Sequence, residues 1–260
     1  MIKKISSIHK SLKFLEYVCQ ADHGFRLAEA ARVLGISSPA ALNYTNAFLD
    51  EGYIVKDVSS GKFKASYKIV SLGFMTLKNN RIFNVSTPIL EVLQKEIDSP
   101  VHLAIKKESV GLCINVVGDD GRPSISTIGS EFDLYCTALG RAMLAHSDDD
   151  EVDLYFEKRS LVKKTPKTTV DKEILRKIVL KTKEEGYAID KEESKLGLCS
   201  MAVPIFDDGG KLLAALSIIV PFDCRDEDIA PLYSKAKSTA SDLSKVLSGL
   251  PLEELNFHIR

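Results

Sequence analysis

The sequence predicts an α+β chain built from two domains of unequal size. Apolar residues repeat at helical spacing up to Ile97 and at strand spacing from Val101, and helices return between and after the strands. A chain of 260 residues is longer than one small core needs and shorter than three domains require. Apolar residues at 45% and charged residues at 27% are ordinary values, which exclude disorder, collagen-like repeats and coiled coil.

The charge is unevenly distributed along the chain. Residues 1–80 contain 11 Lys and Arg against 6 Asp and Glu, whereas residues 81–260 contain 24 against 30. The formal net charge of −1 therefore averages a basic front of +5 with an acidic back of −6. Such asymmetry indicates a polyanionic partner for the front.

Three helices are predicted in the basic front. An amphipathic pattern begins near Ile5 and ends before the 22–24 break, and a second pattern runs over 27–34 and stops at Gly35. A third helix begins at Ser38, has Pro39 in its first turn and runs to about Glu51. Two short helices joined by a turn that contains glycine indicate helix-turn-helix, although helical hairpins of this kind also occur in unrelated bundles.

A basic hairpin is predicted after the third helix. Segments 53–57 and 62–69 have the pattern of strands around a turn at 59–61. Four lysines lie near this turn, where a wing would need cations to reach phosphates: Lys56, Lys62, Lys64 and Lys68. Three helices with this hairpin make a winged helix-turn-helix.

The connection to the back half is predicted to be helical. Residues 70–83 continue as an apolar-striped helix, and Pro88 opens another that runs to about Ile97. We therefore expect a winged helix-turn-helix domain over 1–70, a helical linker over 71–87 and a second domain over 88–260. A helical connection transmits orientation better than a Gly/Ser linker would.

From residue 101 onwards, the sequence predicts strands, then helices, then more strands and a last helix. The strands are expected over 101–105, 111–117, 123–128, 187–190, 200–206 and 211–220, and the helices over 136–146, 149–158, 171–186 and 227–247. Residues 207–210 predict a hairpin turn. The charged loop over 163–167 is expected to be solvated.

Several functional classes have no support in the sequence. Five cysteines without CxxC spacing argue against a disulfide framework or a structural zinc, and the five histidines are scattered, so we expect neither a metal nor a cofactor. No nucleophile elbow or phosphate loop points to an enzyme. The longest apolar run, about a dozen residues, is too short to span a membrane, and charges interrupt the N-terminus, so we expect a cytoplasmic protein without a membrane partner.

Three spaced motifs after the winged helix carry a family resemblance. They are YCTALGRAMLA at 135–145, GYAID at 186–190, and AVPIFD at 202–207 with AALS at 214–217. In this order they resemble the IclR family of bacterial transcriptional regulators over nearly the whole chain. The resemblance implies an N-terminal DNA-binding domain, a linker helix, a C-terminal GAF-like α/β effector-binding domain, and assembly into a dimer or tetramer.

The resemblance assigns DNA recognition to the helix over 38–49. Family members usually carry Lys, His and Arg near its start, where this chain has Ser38, Leu42 and Asn43, and no residue from 36 to 49 is charged. We expect Asn43 and Asn46 to contact adenine edges and Ser38 a phosphate, unless the two asparagines are simply the solvated face of the helix. Arg26, Arg32, Lys62 and Lys64 would supply the remaining phosphate attraction.

For the effector, the resemblance points to a segment before and within one helix and to three strand positions. These residues are Cys136, Thr137, Ala138, Leu139, Gly140, Asp190, Ser200, Ser217 and Ile219. Backbone amides after Cys136 would be available to a carboxylate. Cys136 could instead be a buried small hydrophobe, and Asp190 could merely begin a turn.

Two departures from the family pattern bear on the effector. Ser200 stands where the family often has Cys, with a cysteine displaced to Cys199, and Ile219 stands where it often has a second Ser. Exchanging a hydroxyl for a branched alkyl group removes a donor and adds apolar surface, which changes discrimination by about 1–3 kcal/mol. We therefore expect a carboxylate more apolar than a two- or three-carbon acid, aromatic or branched.

The sequence thus predicts a regulator whose affinity for double-stranded operator DNA depends on a small organic acid or related metabolite. Two other classes stay open. One is a winged-helix protein-interaction module with weak or no DNA binding, which the uncharged recognition helix would suit. The other is an enzyme acting on a small molecule.

Overall fold

The computed structural model describes residues 6–118, 127–221 and 226–250. The chain divides into two compact units, Met1–Asn79 and Asn80–Arg260. The predicted linker, 71–87, crosses this division, so its first half belongs to one unit and its second half to the other.

The first unit consists of helices and one short hairpin. In chain order its elements are α1 (Ser6–Gln20), α2 (Leu27–Leu34), α3 (Ser38–Asp50), β1 (Ile54–Lys56), β2 (Phe63–Ala65) and α4 (Tyr67–Lys78). Gly35 ends α2 in the left-handed conformation at φ 61°, as glycine does most easily. The Ser37 hydroxyl then accepts the Ala40 amide at 3.4 Å and begins α3. The predicted helix-turn-helix is therefore present.

An aromatic core holds these helices together. The Phe14 ring of α1 is fully buried, with the Phe25 ring edge-on at 5.6 Å and the Phe48 ring stacked at 5.6 Å. The centre of the Tyr44 ring lies 5.8 Å from that of the Phe14 ring. Because Tyr44 and Phe48 both belong to α3, this cluster fixes which face of α3 turns inward.

Three expectations for residues 62–97 are wrong. The strand predicted over 62–69 ends at Ala65, because the Ser66 hydroxyl accepts the Lys68 amide at 3.1 Å and starts α4. The helix predicted over 70–83 ends at Lys78, because the Asn80 side chain accepts the Phe83 amide at 2.9 Å and starts α5. Pro88 lies inside α5 rather than at its beginning.

The second unit is a six-stranded antiparallel sheet with helices on both faces. Its elements are α5 (Arg81–Ile97), β3 (Val101–Lys107), β4 (Val110–Val117), β5 (Glu131–Asp133), α6 (Ala138–Leu144), α7 (Asp149–Lys158), α8 (Lys172–Glu185), β6 (Ala188–Lys191), β7 (Cys199–Phe206), β8 (Leu212–Ile219) and α9 (Asp226–Ser248). The strand order is β5-β4-β3-β8-β7-β6.

The two faces of this sheet differ in side-chain size. One face carries large apolar residues such as Leu103, Met201 and Leu216, which pack against α5 and α9. The other face carries alanines at 104, 188, 202 and 215, which pack against α6 in a core that also contains residues of α7 and α8. We call this second surface the small-residue face.

The remaining differences from the predicted elements are local. Of the strand predicted over 123–128, residues 123–126 lie outside the described residues, and β5 was not predicted. α6 begins at Ala138 because Thr137 caps it. The hairpin turn at 207–210 is confirmed, since the Asp207 amide donates to the Lys211 carbonyl at 2.8 Å. No helix within the described residues is long and apolar enough to cross a membrane.

Candidate functional site

The exposed face of α3 carries neutral polar residues and one leucine, and no charged residue before Asp50. Ser38, Leu42, Asn43 and Asn46 are all exposed, whereas Ala41 is buried. The structure thus brings the three predicted DNA-contacting residues of α3 to its solvent-facing surface, with Leu42 beside them.

The hairpin turn is organised by Asp57. Its Oδ1 atom accepts the Ser59 hydroxyl at 2.6 Å and the Ser60 amide at 2.8 Å, and its Oδ2 atom lies 3.0 Å from the Lys64 ammonium. These hydrogen bonds, with that of the Ser59 hydroxyl the largest, hold the pKa of Asp57 well below its usual range. Lys64 is therefore held at the wing beside a permanent carboxylate.

The other predicted phosphate-contacting cations lie around the same turn or on α2. The Lys62 ammonium donates to the His23 carbonyl at 3.4 Å, and one Arg26 nitrogen donates to the Ser60 carbonyl at 3.5 Å. Arg32 is exposed in the last turn of α2. Their charges are solvent-accessible or half-buried, as a phosphate-binding surface requires.

The predicted effector residues meet on the small-residue face. Strand register sets Asp190 opposite Ser200 and Ser200 opposite Ile219, so these three lie in one row across β6, β7 and β8. The next row on the same face contains Ala202, Ser217 and His102. Opposed residues of an antiparallel pair project to the same side, so both rows face α6.

Residues 134–137, the segment before α6, are buried. The Thr137 hydroxyl accepts the Gly140 amide at 3.0 Å and donates to the Asp133 carbonyl at 2.9 Å, so Thr137 caps the N-terminus of α6. Cys136 is buried, and burial raises the pKa of its thiol to about 12. It is therefore an inert thiol.

Asp190 is fully buried at the end of β6. Its Oδ1 atom accepts the Glu193 and Ser194 amides at 2.8 and 3.4 Å, and its Oδ2 atom accepts the Ser194 hydroxyl. Burial raises the pKa of Asp190 above its usual value in spite of these hydrogen bonds. Asp190 thus begins a turn and also lies opposite Ser200 in the sheet.

Ser200 and Ser217 supply the side-chain hydroxyls of this surface. Both residues are buried, with 4% of their surface exposed. Ile219 is half-buried at the end of the first row. Cys199 packs on the opposite face of the sheet with α5 and α9, so the displaced cysteine does not substitute for Ser200.

Sequence reasoning missed Arg141 and His102 at this site. The buried Arg141 side chain donates from Nε to the Tyr135 carbonyl at 2.9 Å and from Nη1 to the Ile189 carbonyl at 3.1 Å, and it is ion-paired with Glu193 at 2.7 Å. A cation within the otherwise apolar helix ALGRAML was the available signal. His102 could be found only through the register that places it beside Ser217.

The loop over 163–167 is exposed at every position except Thr165, as its composition predicts, and it is also bonded to neighbouring segments. The Lys164 ammonium lies 2.8 Å from Asp133 Oδ2, and the Thr165 hydroxyl donates to the Glu192 carbonyl at 2.7 Å. Although burial alone would raise the pKa of Asp133, Lys164 and Arg159 together hold it below its usual value. This loop is fastened to the loop that follows Asp190.

Within the described residues, no group of three or more His, Cys, Asp or Glu could hold a metal ion. The small-residue face combines two hydroxyls and one buried carboxyl with alanines.

Comparison with known proteins decides the family. A sequence profile described as bacterial transcriptional regulator IclR C-terminal matches residues 74–245, more than half of the chain. The chain belongs to the IclR family of bacterial transcriptional regulators. This confirms the predicted family, and the family's DNA-binding, ligand-responsive function is that of the chain.

Similar proteins cover nearly the whole IclR-family chain. The HTH-type transcriptional regulator XynR of Escherichia coli K12 is 25% identical over 245 residues, with 94% of this chain and 97% of that protein covered. The transcriptional repressor IclR of the same organism is 24% identical over 251 residues, with 95% and 92% covered. Both relatives are transcriptional regulators.

Solved structures share the fold. The IclR of Thermotoga maritima superposes with a TM-score of 0.78 at 27% identity, covering 94% of this chain and 99% of that one. An IclR homologue from Microbacterium hydrocarbonoxydans, complexed with 4-hydroxybenzoate, superposes with a TM-score of 0.76 at 19% identity over 94% and 100% of the two chains. The second likeness shows the fold alone. Together they confirm the predicted α+β fold class.

Proposed function

We propose that this regulator changes its affinity for operator DNA when an aromatic or branched carboxylate binds on the small-residue face. The observation that carries the proposal is the strand register, which sets the Ser200 and Ser217 hydroxyls on the same face of the sheet as the buried Asp190 carboxyl. A few polar groups within a mostly apolar surface can orient a polar ligand by hydrogen bonding.

The surroundings of these hydroxyls favour a ligand with an apolar body. Ala188, Ala202 and Ala215 make the surroundings small and apolar, and Ile219 adds an alkyl surface at the end of the row. The carboxylate would contact the amides of Ala138 and Leu139, and the serines would hold a second polar group.

Thermal-shift measurements test the effector class. Benzoate and branched-chain carboxylates should raise the melting temperature of the second unit, whereas glyoxylate should not. The matched variant Ile219→Ser restores a hydroxyl and should shift preference towards small hydrophilic acids by about tenfold, within the range for a single-group change in a pocket. Stabilisation of the wild-type protein by small hydrophilic acids alone would refute the proposed class.

On the DNA side, we propose that α3 enters the major groove with Ser38, Asn43 and Asn46 facing DNA, while Arg26, Arg32, Lys62 and Lys64 contact phosphates. The logarithm of affinity should then fall by about 0.9 per contacted phosphate for each tenfold rise in salt concentration. Salt-independent binding, or no binding to any genomic fragment, would exclude this function.

We propose that α4 contributes to assembly into a dimer or tetramer. Tyr67, Val70, Phe74 and Met75 of this helix are exposed, and α4 contains no buried residue. A contiguous apolar helix surface of this kind is typical of an interface, and a twofold dimer would match a palindromic operator. Analytical ultracentrifugation should give a dimer or a tetramer for the wild-type chain and smaller species for Phe74→Asp, whereas a monomeric wild-type chain would contradict the assembly.

A further inference from the structure

The outward surface of α3 has a chemistry that suits one kind of base pair. Its inner side is fixed by Tyr44 and Phe48 in the aromatic core and by buried Ala41. The residues that remain outside include Leu42, whose side chain is 44% exposed, Asn43 and Asn46.

Spacing places these three side chains on one patch. Leu42 and Asn46 are one helical turn apart, and Asn43 and Asn46 are three positions apart, so their side chains are neighbours on the helix surface. We call Leu42, Asn43 and Asn46 the reading patch. It contains two amides and one branched alkyl group, and no cation.

The absence of a cation from α3 restricts what the patch can read. The commonest contact to guanine is a bidentate one from Arg or Lys to O6 and N7, and no residue between Ser37 and Leu49 can form it. Asparagine instead pairs with N6 and N7 of adenine, and an alkyl group packs against the C5-methyl group of thymine. Both features belong to the major-groove edge of the same A·T pair.

We propose that the reading patch recognises adjacent A·T pairs, with Leu42 against thymine methyl groups and Asn43 and Asn46 on adenine edges. This inference rests on the DNA-binding function proposed above and adds the base identity. Cations on the wing and on α2 attract the phosphates without discriminating among sequences, so α3 supplies the discrimination.

The test uses base analogues in a bound operator. Genomic fragments that the full-length protein retains are selected first, and each thymine of the shortest bound duplex is then replaced singly by deoxyuridine, which removes only the methyl group. Fluorescence anisotropy at fixed salt should show a loss of about fourfold in affinity at one or two positions of each half-site, the value expected when one buried methyl contact is lost.

Variants assign the effect to residues. Leu42→Ala should bind the unmodified duplex more weakly and should lose the deoxyuridine penalty at those positions, and circular dichroism should show an intact fold because alanine favours helix. Leu180→Ala, the same change at an exposed position of α8 in the other unit, should keep the wild-type pattern. Asn43→Ala or Asn46→Ala should remove the corresponding penalty for 7-deazaadenine, which lacks N7.

The failures can be told apart. If duplexes are bound and no thymine position responds to deoxyuridine, or if Leu42→Ala keeps the full penalty, this inference is wrong and the DNA-binding function stands. If no fragment is bound at low salt, the DNA-binding function fails and the inference fails with it.

Discussion

Replacement of Gly140 by alanine tests whether α6 lies directly on the chain before it. A Cβ atom at position 140 would lie 2.2 Å from the Leu134 Cα atom and 2.4 Å from the Leu134 carbonyl oxygen. Carbon atoms in contact are about 3.5–4.0 Å apart, so α6 would have to retreat by more than about 1 Å. The obstructing atoms are backbone, which cannot turn aside as a side chain would.

The cost follows from this geometry. Overpacking of a core costs about 1–3 kcal/mol, and a clash with backbone belongs at the upper end, about 3 kcal/mol. For a unit of this size the melting temperature should fall by about 6–12 °C. Retreat of α6 also moves the amides of Ala138 and Leu139, and loss of one charge-assisted hydrogen bond should weaken effector binding by about tenfold or more.

Differential scanning calorimetry and ligand titration measure both effects. Gly73→Ala is the matched control, since Gly73 lies inside α4 with no atom within 4 Å of its would-be Cβ, and alanine should stabilise the first unit by about 0.5–1 kcal/mol. A Gly140→Ala protein that melts like the wild type and binds effector equally well would refute the close contact of α6 with Leu134.

Three further predictions concern single residues. Phe14→Ala should destabilise the first unit by about 3–5 kcal/mol in denaturant titrations, because the ring is the centre of the aromatic core; an unchanged midpoint would contradict that packing. Lys64→Gln should reduce the slope of log affinity against log salt by about 1 if Lys64 contacts a phosphate, and an unchanged slope would show that its charge serves only Asp57. Burial raises the pKa of Asp190, so between the usual and the raised pKa the folded protein holds a proton that the unfolded chain releases. The free energy of unfolding should therefore fall as pH rises through that window. The difference in this free energy between the wild type and Asp190→Asn isolates the slope, and a difference that rises with pH would show that Asp190 is not desolvated.

Elements with strong local signals could be predicted from the sequence, and those that depend on side-chain capping could not. The turn at Gly35 and the turn at 207–210 were predictable because glycine and Asp-Gly dictate their geometry. The ends of α4 and α5 depend on whether the side chains of Ser66 and Asn80 bend back onto a backbone amide, and such hydrogen bonds leave no periodic pattern.

The candidate site shows the same division. Position in a motif pointed to Asp190, Ser200 and Ser217, but only strand register shows that they share one face and that Cys199 does not. Arg141 looked like an ordinary helix cation, since its carbonyl partners at Tyr135 and Ile189 are distant in sequence. Lys164 and Lys167 are exposed as predicted, but their carboxylate partners lie on other segments and could not be found from the sequence.

The most direct test of the account is the affinity of the full-length protein for one operator duplex, measured at fixed salt with and without a saturating aromatic or branched carboxylate that stabilises the second unit. The account predicts a change of about 5–150-fold, the usual range of coupling between two sites, and predicts that Gly140→Ala reduces this change at the same effector concentration. An operator affinity that stays constant while the effector is demonstrably bound would contradict it.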